Sequence, residues 1–339
     1  MNYIGSKFRL SDFLFENIDN TLKGHNAKPL SQSIFCDLFA GTCAVSKLFK
    51  GKVKQIIVND KEFYSFVLAK NYIGNYIKLN EIGKLLDSLN DATLLIKGKI
   101  FTHYALGGGE NRQYFSDENA KKIDTIRTKI EELKQKNSID ENEYFFLLAS
   151  LLESADKVAN TASVYGAFLK HLKKSAQKKL ILSPANFEIC DRINEPQIFN
   201  ENARDLITKI NGDILYLDPP YNARQYGANY HLLNSIAIYD DFIPQGKTGL
   251  RYYEKSAWCK KLSVENELEF IIKNANFKFI FLSYNDEGLL SLEQIQNIFK
   301  KYGKYELSTK IHQRFKADSK RAQKQNSTIE YLHILNKDG

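Results

Sequence analysis

The residues best suited to chemistry stand together in the motif LDPPYN, residues 217–222, at the end of an apolar run. Two consecutive prolines cannot continue a hydrogen-bonded strand, so the residues after Leu217 must project beyond the carboxyl edge of the sheet. Ligands bind at that edge in open α/β sheets. The candidate catalytic residues are therefore Asp218, Pro219, Pro220 and Tyr221. The alternative is a Pro-Pro turn that ends a strand, with a tyrosine packed behind it.

A second candidate site lies in DLFAGTCAVS, residues 37–46, where Asp37 ends a strand and Gly41 stands in a tight turn before a helix. Such a turn lets a nucleoside or phosphate approach the backbone, although turn geometry alone can require Gly41. The motif is neither a dinucleotide fingerprint nor a P-loop. Asp60 in VND ends the next strand, where an acid can bind ribose hydroxyls or cap the following helix.

Short apolar runs predict the elements that position these motifs. Four runs are typical of strands buried on both faces: residues 33–39, 53–59, 213–218 and 277–284. A turn and a short helix connect the first two, which predicts a parallel pair. The pattern further predicts a helix over 61–73 and two final strands over 305–315 and 327–335, joined by a basic loop.

Helical periodicity replaces strand-like runs between about residue 74 and residue 197. An insertion of this length is too long for a loop and is expected to form a helical subdomain. We therefore predict an α/β domain from residues 1–74 and 198–339 and a helical domain from residues 75–197.

The chain has 339 residues, a formal net charge of +8 and four cysteines. It has no apolar stretch long enough to span a bilayer, no secretory signal pattern and no metal-binding cysteine pattern. These features predict a soluble, reduced, cytoplasmic protein that contacts no membrane and holds no metal.

Positive charge is concentrated in two blocks. Residues 157–187 contain six lysines and no acid, and residues 310–324 contain six cations and one acid. Such blocks suggest a surface for nucleic-acid phosphates, although solvated helix faces would give the same pattern.

Taken in order, YIGSK (residues 3–7), DLFAGTCAVS, VND and LDPPYN resemble the N6-adenine DNA methyltransferases of the alpha arrangement. That family includes Dam-type and restriction-modification methylases and uses S-adenosylmethionine. The motif DPPY alone occurs in several methyltransferase groups, but YIGSK and the long insertion before DPPY make the match specific. The resemblance implies a mostly parallel S-adenosylmethionine-dependent methyltransferase sheet, with the helical insertion as the target-recognition domain.

The resemblance also implies a set of cofactor contacts. They are Tyr3, Lys7, Asp37, Phe39, Ala40, Gly41, Asp60, Asn202, Ala203 and Asp218. The family usually has a second glycine where this chain has Cys43.

Adenine N6 is a poor nucleophile because its lone pair is delocalised into the ring. The Asp218 carboxylate and the Pro219 carbonyl can accept hydrogen bonds from the amine and orient it. Tyr221 offers a face on which a base extruded from the duplex can stack. Methylation of cytosine carbon-5 would need a cysteine nucleophile, typically after proline, and none of the four cysteines follows a proline.

Residues in the basic blocks, in the insertion and after the catalytic turn are candidates for DNA contacts. They are Arg112, Lys157, Asn160, Tyr165, Arg224, Tyr226, Arg314, Lys316 and Arg321. We expect the two basic blocks to form the walls of a DNA cleft with Tyr221 at its floor. His231 is expected to serve packing.

The sequence thus predicts an adenine-specific DNA methyltransferase that acts on a short duplex site, as a monomer, in a restriction-modification system with a cognate endonuclease. One alternative is a cytosine-N4 or RNA methyltransferase. YIGSK disfavours RNA, and the acid at Asp218 disfavours cytosine N4, whose enzymes more often carry serine there. A second alternative is a DNA-binding specificity module without catalysis.

Overall fold

The computed structural model describes residues 7–190, 194–313 and 327–338, which divide into two compact units. The sheet unit comprises the described residues of Gly5–Lys61, Cys190–Gln225 and Lys255–Gly339. The helical unit comprises Glu62–Ile189 and Tyr226–Glu254, so it also includes residues that follow the LDPPYN motif.

One mostly parallel sheet of seven strands organises the described part of the sheet unit. The strands are β1 (Ile34–Asp37), β2 (Gln55–Asn59), β3 (Gln197–Phe199), β4 (Asn211–Leu217), β5 (Asn276–Asn285), β6 (Lys304–Gln313) and β7 (Ser327–Asn336). Their order is β3-β2-β1-β4-β5-β7-β6, and β7 runs antiparallel to both of its neighbours. The six predicted strands are confirmed, and the α/β fold class with them. The short β3 was not predicted.

Twelve α-helices accompany the strands within the described residues. They are α1 (Ser11–Gly24), α2 (Ala44–Phe49), α3 (Phe63–Ala69), α4 (Ile82–Asn90), α5 (Lys99–Tyr104), α6 (Asp117–Gln135), α7 (Glu141–Val158), α8 (Ala203–Leu206), α9 (Tyr226–Asn229), α10 (His231–Ile238), α11 (Val264–Asn274) and α12 (Leu292–Lys300). The predicted helix over 61–73 is found as α3 and the π-helical turn Lys70–Gly74 that continues it. None of these helices is long and apolar enough to cross a bilayer.

The core of the sheet unit fixes where each strand ends. Leu215 and Leu217 of β4 and Ile280 and Leu282 of β5 are fully buried. They belong to one apolar cluster that also includes residues of α11 and α12. Because burial continues to the last residue of β4, the polar residues that follow begin at the carboxyl edge of the sheet.

The helical unit is built on α6 and α7, whose N-termini are capped as their sequences favour. The Ser116 side chain accepts a hydrogen bond from the Asn119 backbone at the start of α6. Asp140 and Glu143 form a reciprocal capping box at the start of α7. These caps satisfy amide groups that a helix leaves without partners in its first turn.

The segment that follows α7, residues 159–190, contains no regular helix or strand. Asparagine side chains hold its backbone instead, as Asn119 does by donating to Lys178 O at 2.8 Å and accepting from Leu180 N at 2.8 Å. Asn90 bonds both backbone groups of Leu182 in the same way. Because these amides supply the partners that a helix would supply, the predicted helical character ends at Val158.

Candidate active site

The LDPPYN motif forms a tight connection directly after β4. Asp218 and Tyr221 are half-buried, and the carbonyl of Tyr221 accepts a hydrogen bond from Leu289 N at 2.9 Å. The Tyr221 ring meets Tyr284 edge-on, with 6.3 Å between ring centroids and 74° between ring planes. The tyrosine therefore packs on the apolar cluster while it keeps an exposed part at the carboxyl edge.

Lys7 lies between two carboxylates at this edge. Its ammonium nitrogen is 3.3 Å from Asp218 Oδ1 and 2.5 Å from Glu330 Oε1. Side-chain exposure is 6% for Lys7, 17% for Asp218 and 2% for Glu330, so water screens little of this charge. The Lys7 nitrogen also lies 5.7 Å from the centroid of the Tyr221 ring. The YIGSK lysine and the DPPY motif thus belong to one site.

Burial and charge shift the titration of both partners. Burial raises the pKa of Asp218 to about 7, since the loss of hydration outweighs the stabilising ammonium of Lys7. The pKa of Lys7 lies well above its usual value. Burial would lower that pKa, but the carboxylates of Asp218 and Glu330 outweigh it. Lys7 therefore stays charged, while Asp218 changes charge near neutral pH.

Glu330 reaches this edge because β7 runs against its neighbours. Its residues pair antiparallel with β5, and Glu330 lies opposite Asn285, the last residue of β5. The start of an antiparallel strand therefore meets the carboxyl ends of the parallel ones. Glu330 was not among the predicted site residues, although the sequence contained one signal for it. In STIEYLHIL the acid stands two residues before Leu332 and four before Ile334, so it lies on the same buried face of the strand as these apolar residues.

Asp37, at the end of β1, has two carboxylate oxygens in different environments. Its Oδ2 accepts a hydrogen bond from Ser46 Oγ at 2.5 Å, while its buried Oδ1 has no hydrogen-bond partner among the described residues. Burial raises the pKa of Asp37 to about 7, and the hydrogen bond from Ser46 opposes that shift only in part. A buried oxygen without a donor costs free energy unless a ligand supplies one.

The turn after β1 is tightly folded. Gly41 and Cys43 both have left-handed backbone angles, with φ of +52° and +60°, and Cys43 N donates to Ala40 O at 2.7 Å. Cys43 thus takes a conformation that favours glycine, which gives a physical reason for the glycine of the resembling family at this position.

Asp60 fixes the same turn from β2. Its Oδ2 accepts a hydrogen bond from Gly41 N at 2.8 Å. The N-cap residue of α3 is Glu62, so the alternative role of Asp60 as a helix cap is wrong. The structure therefore brings Gly41 and Asp60 together, and their contact with a cofactor stays a prediction.

The remaining predicted cofactor residues have mainly structural contacts. Phe39 packs edge-on against Trp258, with ring centroids 5.1 Å apart, and Ala40 is largely buried. Asn202 caps α8 by accepting from Arg204 N at 3.1 Å, and Ala203 is buried in the apolar cluster. Tyr3 lies outside the described residues.

Three of the predicted DNA contacts are accessible. Lys157 in the last turn of α7 and Arg224 after the LDPPYN motif are exposed. Tyr226 is partly exposed and stacks on Tyr230 at 6.0 Å between ring centroids. Arg314, Lys316 and Arg321 lie outside the described residues.

Three others are buried, which argues against direct DNA contact. The guanidinium of Arg112 donates to three backbone carbonyls, those of His103, Gly246 and Lys247. Asn160 is fully buried and donates to the carbonyls of Gln113 and Leu169. Tyr165 donates to Asp156 at 2.7 Å. All three hold the helical unit together because each satisfies polar groups inside it.

His231 also serves packing, as predicted. It is fully buried in α10, and its Nε2 lies 2.9 Å from the carbonyl of Tyr165. Burial lowers the pKa of His231 to about 4, which keeps the ring neutral at physiological pH.

Comparison with known proteins agrees with this geometry. Residues 3–298 match the model of the D12 class N6 adenine-specific DNA methyltransferases. The chain is 58% identical to type II methyltransferase M.NlaIII of Neisseria lactamica and covers 99% of both chains. It is 40% identical to type II methyltransferase M.CviAII of Paramecium bursaria Chlorella virus 1, covering 99% of this chain and 98% of that one.

A third relative is longer than this chain. Type II methyltransferase M.FokI of Planomicrobium okeanokoites is 39% identical over the whole of this chain, which spans 53% of that protein. No solved structure matches significantly. The chain belongs to the D12 class N6 adenine-specific DNA methyltransferase family.

Proposed function

We propose that this adenine-specific DNA methyltransferase takes its methyl group from S-adenosylmethionine and that Asp218 accepts the hydrogen bond of the target amine. The observation that carries the proposal is the half-buried Asp218 carboxylate beside the partly exposed Tyr221 ring on one proline-stiffened turn. Such a turn fixes an acceptor and a stacking surface relative to each other, which is catalysis by positioning.

The residues after β1 and β2 fit the proposed methyl donor. The buried Asp37 Oδ1 is available to a donor such as an ammonium group. Asp60, which accepts a hydrogen bond from the Gly41 backbone, stands at the end of β2, where acids bind ribose hydroxyls. When bound there, S-adenosylmethionine supplies an electrophilic methyl group.

The chain's own contribution is to prepare the amine. The Asp218 carboxylate and the Pro219 carbonyl accept hydrogen bonds from N6 and draw its lone pair out of conjugation with the ring. With a pKa of about 7, Asp218 is also suited to receive the proton that the amine must lose. Tyr221 stacks on the extruded base, which cannot be reached inside the duplex.

The proposed substrate is a short site in double-stranded DNA. The exposed lysines of residues 157–179 support phosphate contacts, which position the duplex without reading its sequence. Since the type II relatives carry names of restriction-modification enzymes, we propose a cognate endonuclease as the functional partner. A monomer suffices because each transfer modifies one strand.

The test combines radiolabelled S-adenosylmethionine with base-resolution mapping of methylated DNA. Label on adenine N6 at one short sequence, lost in Asp218→Asn, is the expected result. Label on cytosine N4 or on RNA, or DNA binding without any transfer, would contradict the proposal.

A further inference from the structure

We propose that Glu330 is a positioning residue that holds Lys7 away from full pairing with Asp218, so that the Asp218 carboxylate keeps its strength as an acceptor. This inference rests on the proposed role of Asp218. Nothing in the LDPPYN motif or the cofactor turn accounts for Glu330, which is almost fully buried on the antiparallel strand β7.

The distances favour Glu330 as the primary partner of Lys7. The Lys7 nitrogen is 2.5 Å from Glu330 Oε1 but 3.3 Å from Asp218 Oδ1. Charge-assisted hydrogen bonds are normally about 2.7–2.9 Å long, so only the Glu330 contact is a close one. The ammonium therefore lies closer to Glu330, although its charge and a hydrogen bond also lower the pKa of Asp218.

The charge balance of the group explains why two acids are useful. When Asp218 is ionised, one ammonium and two carboxylates leave a net charge of −1 at a site with little screening. The amine nitrogen gains positive charge as it reacts, and a net negative site stabilises that charge. Without the charge on Glu330, Lys7 would cancel the charge of Asp218, and the acceptor would weaken.

Among the described residues, the charged or titratable groups that act on Asp218 or on Lys7 include Glu330, Tyr216, Tyr221 and Asp37, besides the mutual effect of Asp218 and Lys7. Tyr216 donates to Ser283 and its pKa lies well above 10 because it is buried, so it stays neutral. Glu330 is thus the carboxylate that shares Lys7 with Asp218.

A residue with a purely structural role could also be an acid here, since a buried ion pair joins the N-terminal segment to β7. The two roles predict different results. A structural residue affects stability alone, whereas a positioning residue changes the pH profile of the reaction in the folded enzyme.

The test is Glu330→Gln, with Glu306→Gln on the neighbouring strand β6 as control. Glu306 is a partly exposed acid that also contacts a lysine, Lys304, at 3.1 Å. Single-turnover rates are measured from pH 5.5 to 9 at saturating S-adenosylmethionine and DNA. We expect Glu330→Gln to lower the maximal rate about tenfold or more and to move the acidic limb down by about one pH unit, because a like charge is removed. Glu306→Gln should match the wild type.

A wild-type pH limb and rate in folded Glu330→Gln would overturn the inference. If that variant does not fold, Glu330→Asp carries the test, since it keeps the charge but withdraws it from Lys7. A lowered rate with unchanged DNA and cofactor affinity supports the inference, and a wild-type rate overturns it. Asp218→Asn separates the two proposals: full activity in that variant refutes the role of Asp218 itself, whereas its inactivity beside a wild-type Glu330→Gln refutes only the role of Glu330.

Discussion

At the scale of single residues, the proposed site depends on how the half-buried Asp218 carboxylate is kept both charged and able to accept a hydrogen bond. Asp218 has a cation beside it, yet the cation is shared with Glu330. Burial works against the charge and Lys7 works for it, so the balance lies near neutral pH.

The first prediction concerns Asp218→Asn, which keeps the shape of the side chain but removes its charge. Methyl transfer should fall by on the order of a thousandfold, the usual cost of losing one preorganised charge-assisted hydrogen bond. DNA affinity should change little, because the phosphate contacts are assigned to exposed cations elsewhere. Single-turnover rates and DNA-binding isotherms measure the two effects, with exposed Asp205→Asn as control. Retention of more than a tenth of the rate would remove Asp218 from the mechanism.

The second prediction is a pH dependence. Asp218 and Asp37 both have pKa values raised to about 7, and both proposed roles need the carboxylate. kcat/KM should therefore rise as pH increases through about 7. The acidic limb of this profile should report the coupled ionisation of Asp218 and Asp37 rather than of either acid alone. Asp37→Asn should leave a single ionisation in that limb. A flat profile between pH 5.5 and 8 would contradict the assignment.

The raised pKa values of Asp218 and Asp37 also determine whether the free energy of unfolding rises or falls with pH. In the unfolded chain both acids ionise near pH 4, whereas in the folded protein they ionise near 7. The folded state therefore holds more protons between these values, so these two groups lower the free energy of unfolding as pH rises from about 4 to 7. Denaturant titrations of the wild type and Asp37→Asn should show that contribution shrink in the variant.

Single residues also mark the limit of what the sequence could predict. Asp218 and Tyr221 could be predicted because LDPPYN is unusual at a strand end, and Lys7 because YIGSK is typical of the resembling family. Arg112 and Asn160 resemble surface residues in a sequence, since their type does not reveal that backbone carbonyls surround them. The burial of a polar residue is decided by contacts distant in sequence.

At the scale of elements, the turn between β1 and α2 contains two residues with left-handed backbone angles. A hydrogen bond from Gly41 N to Asp60, which directly follows β2, holds the turn in place. Gly41 takes its left-handed angle without strain, whereas Cys43 does so with a side chain. This turn carries the proposed cofactor contacts, so its backbone has to be held rigidly.

The third prediction tests that turn with Cys43→Val and Cys43→Gly. A β-branched side chain is disfavoured at φ near +60°, so Cys43→Val should lower the free energy of unfolding by about 1–3 kcal/mol. It should also weaken cofactor binding by displacing the turn. Glycine should be tolerated, because the removal of a small buried side chain is offset by relief of strain. Denaturant unfolding and equilibrium cofactor binding provide the measurements, and equal behaviour of the two variants would contradict this expectation.

The strands were predictable because burial on both faces gives continuous apolar runs. β3 escaped prediction because it has three residues and none of them is fully buried. The irregular segment after α7 escaped because side-chain amides of Asn90 and Asn119, far away in sequence, replace its local hydrogen bonds. Local pattern predicts elements that have a regular apolar period, and it fails where side chains distant in sequence supply the hydrogen bonds of the backbone.

At the scale of the whole molecule, the net charge of +8 is unevenly distributed. Within the helical unit, an exposed lysine set lies on the segment that the asparagines clamp: Lys170, Lys174, Lys178 and Lys179. The clamp fixes the backbone at Lys178 through Asn119, so these cations are presented from an ordered chain. The second basic block lies largely outside the described residues, and the expected cleft between the blocks stays a prediction.

The last prediction tests whether the clamped segment binds DNA phosphates. The triple variant Lys170→Gln, Lys174→Gln, Lys178→Gln should weaken binding to cognate and unrelated duplexes alike, since phosphate contacts carry no sequence information. The slope of log affinity against log salt should flatten by up to about one unit for each phosphate that the variant no longer neutralises. A matched triple at the exposed Lys84, Lys134 and Lys136 of the same unit should change neither quantity. Cofactor binding should be unchanged in both variants. If the two triples instead behave alike in affinity and in salt slope, the lysines of the segment are ordinary solvated charges, and DNA must be held by other cations such as Arg224 and those of residues 310–324.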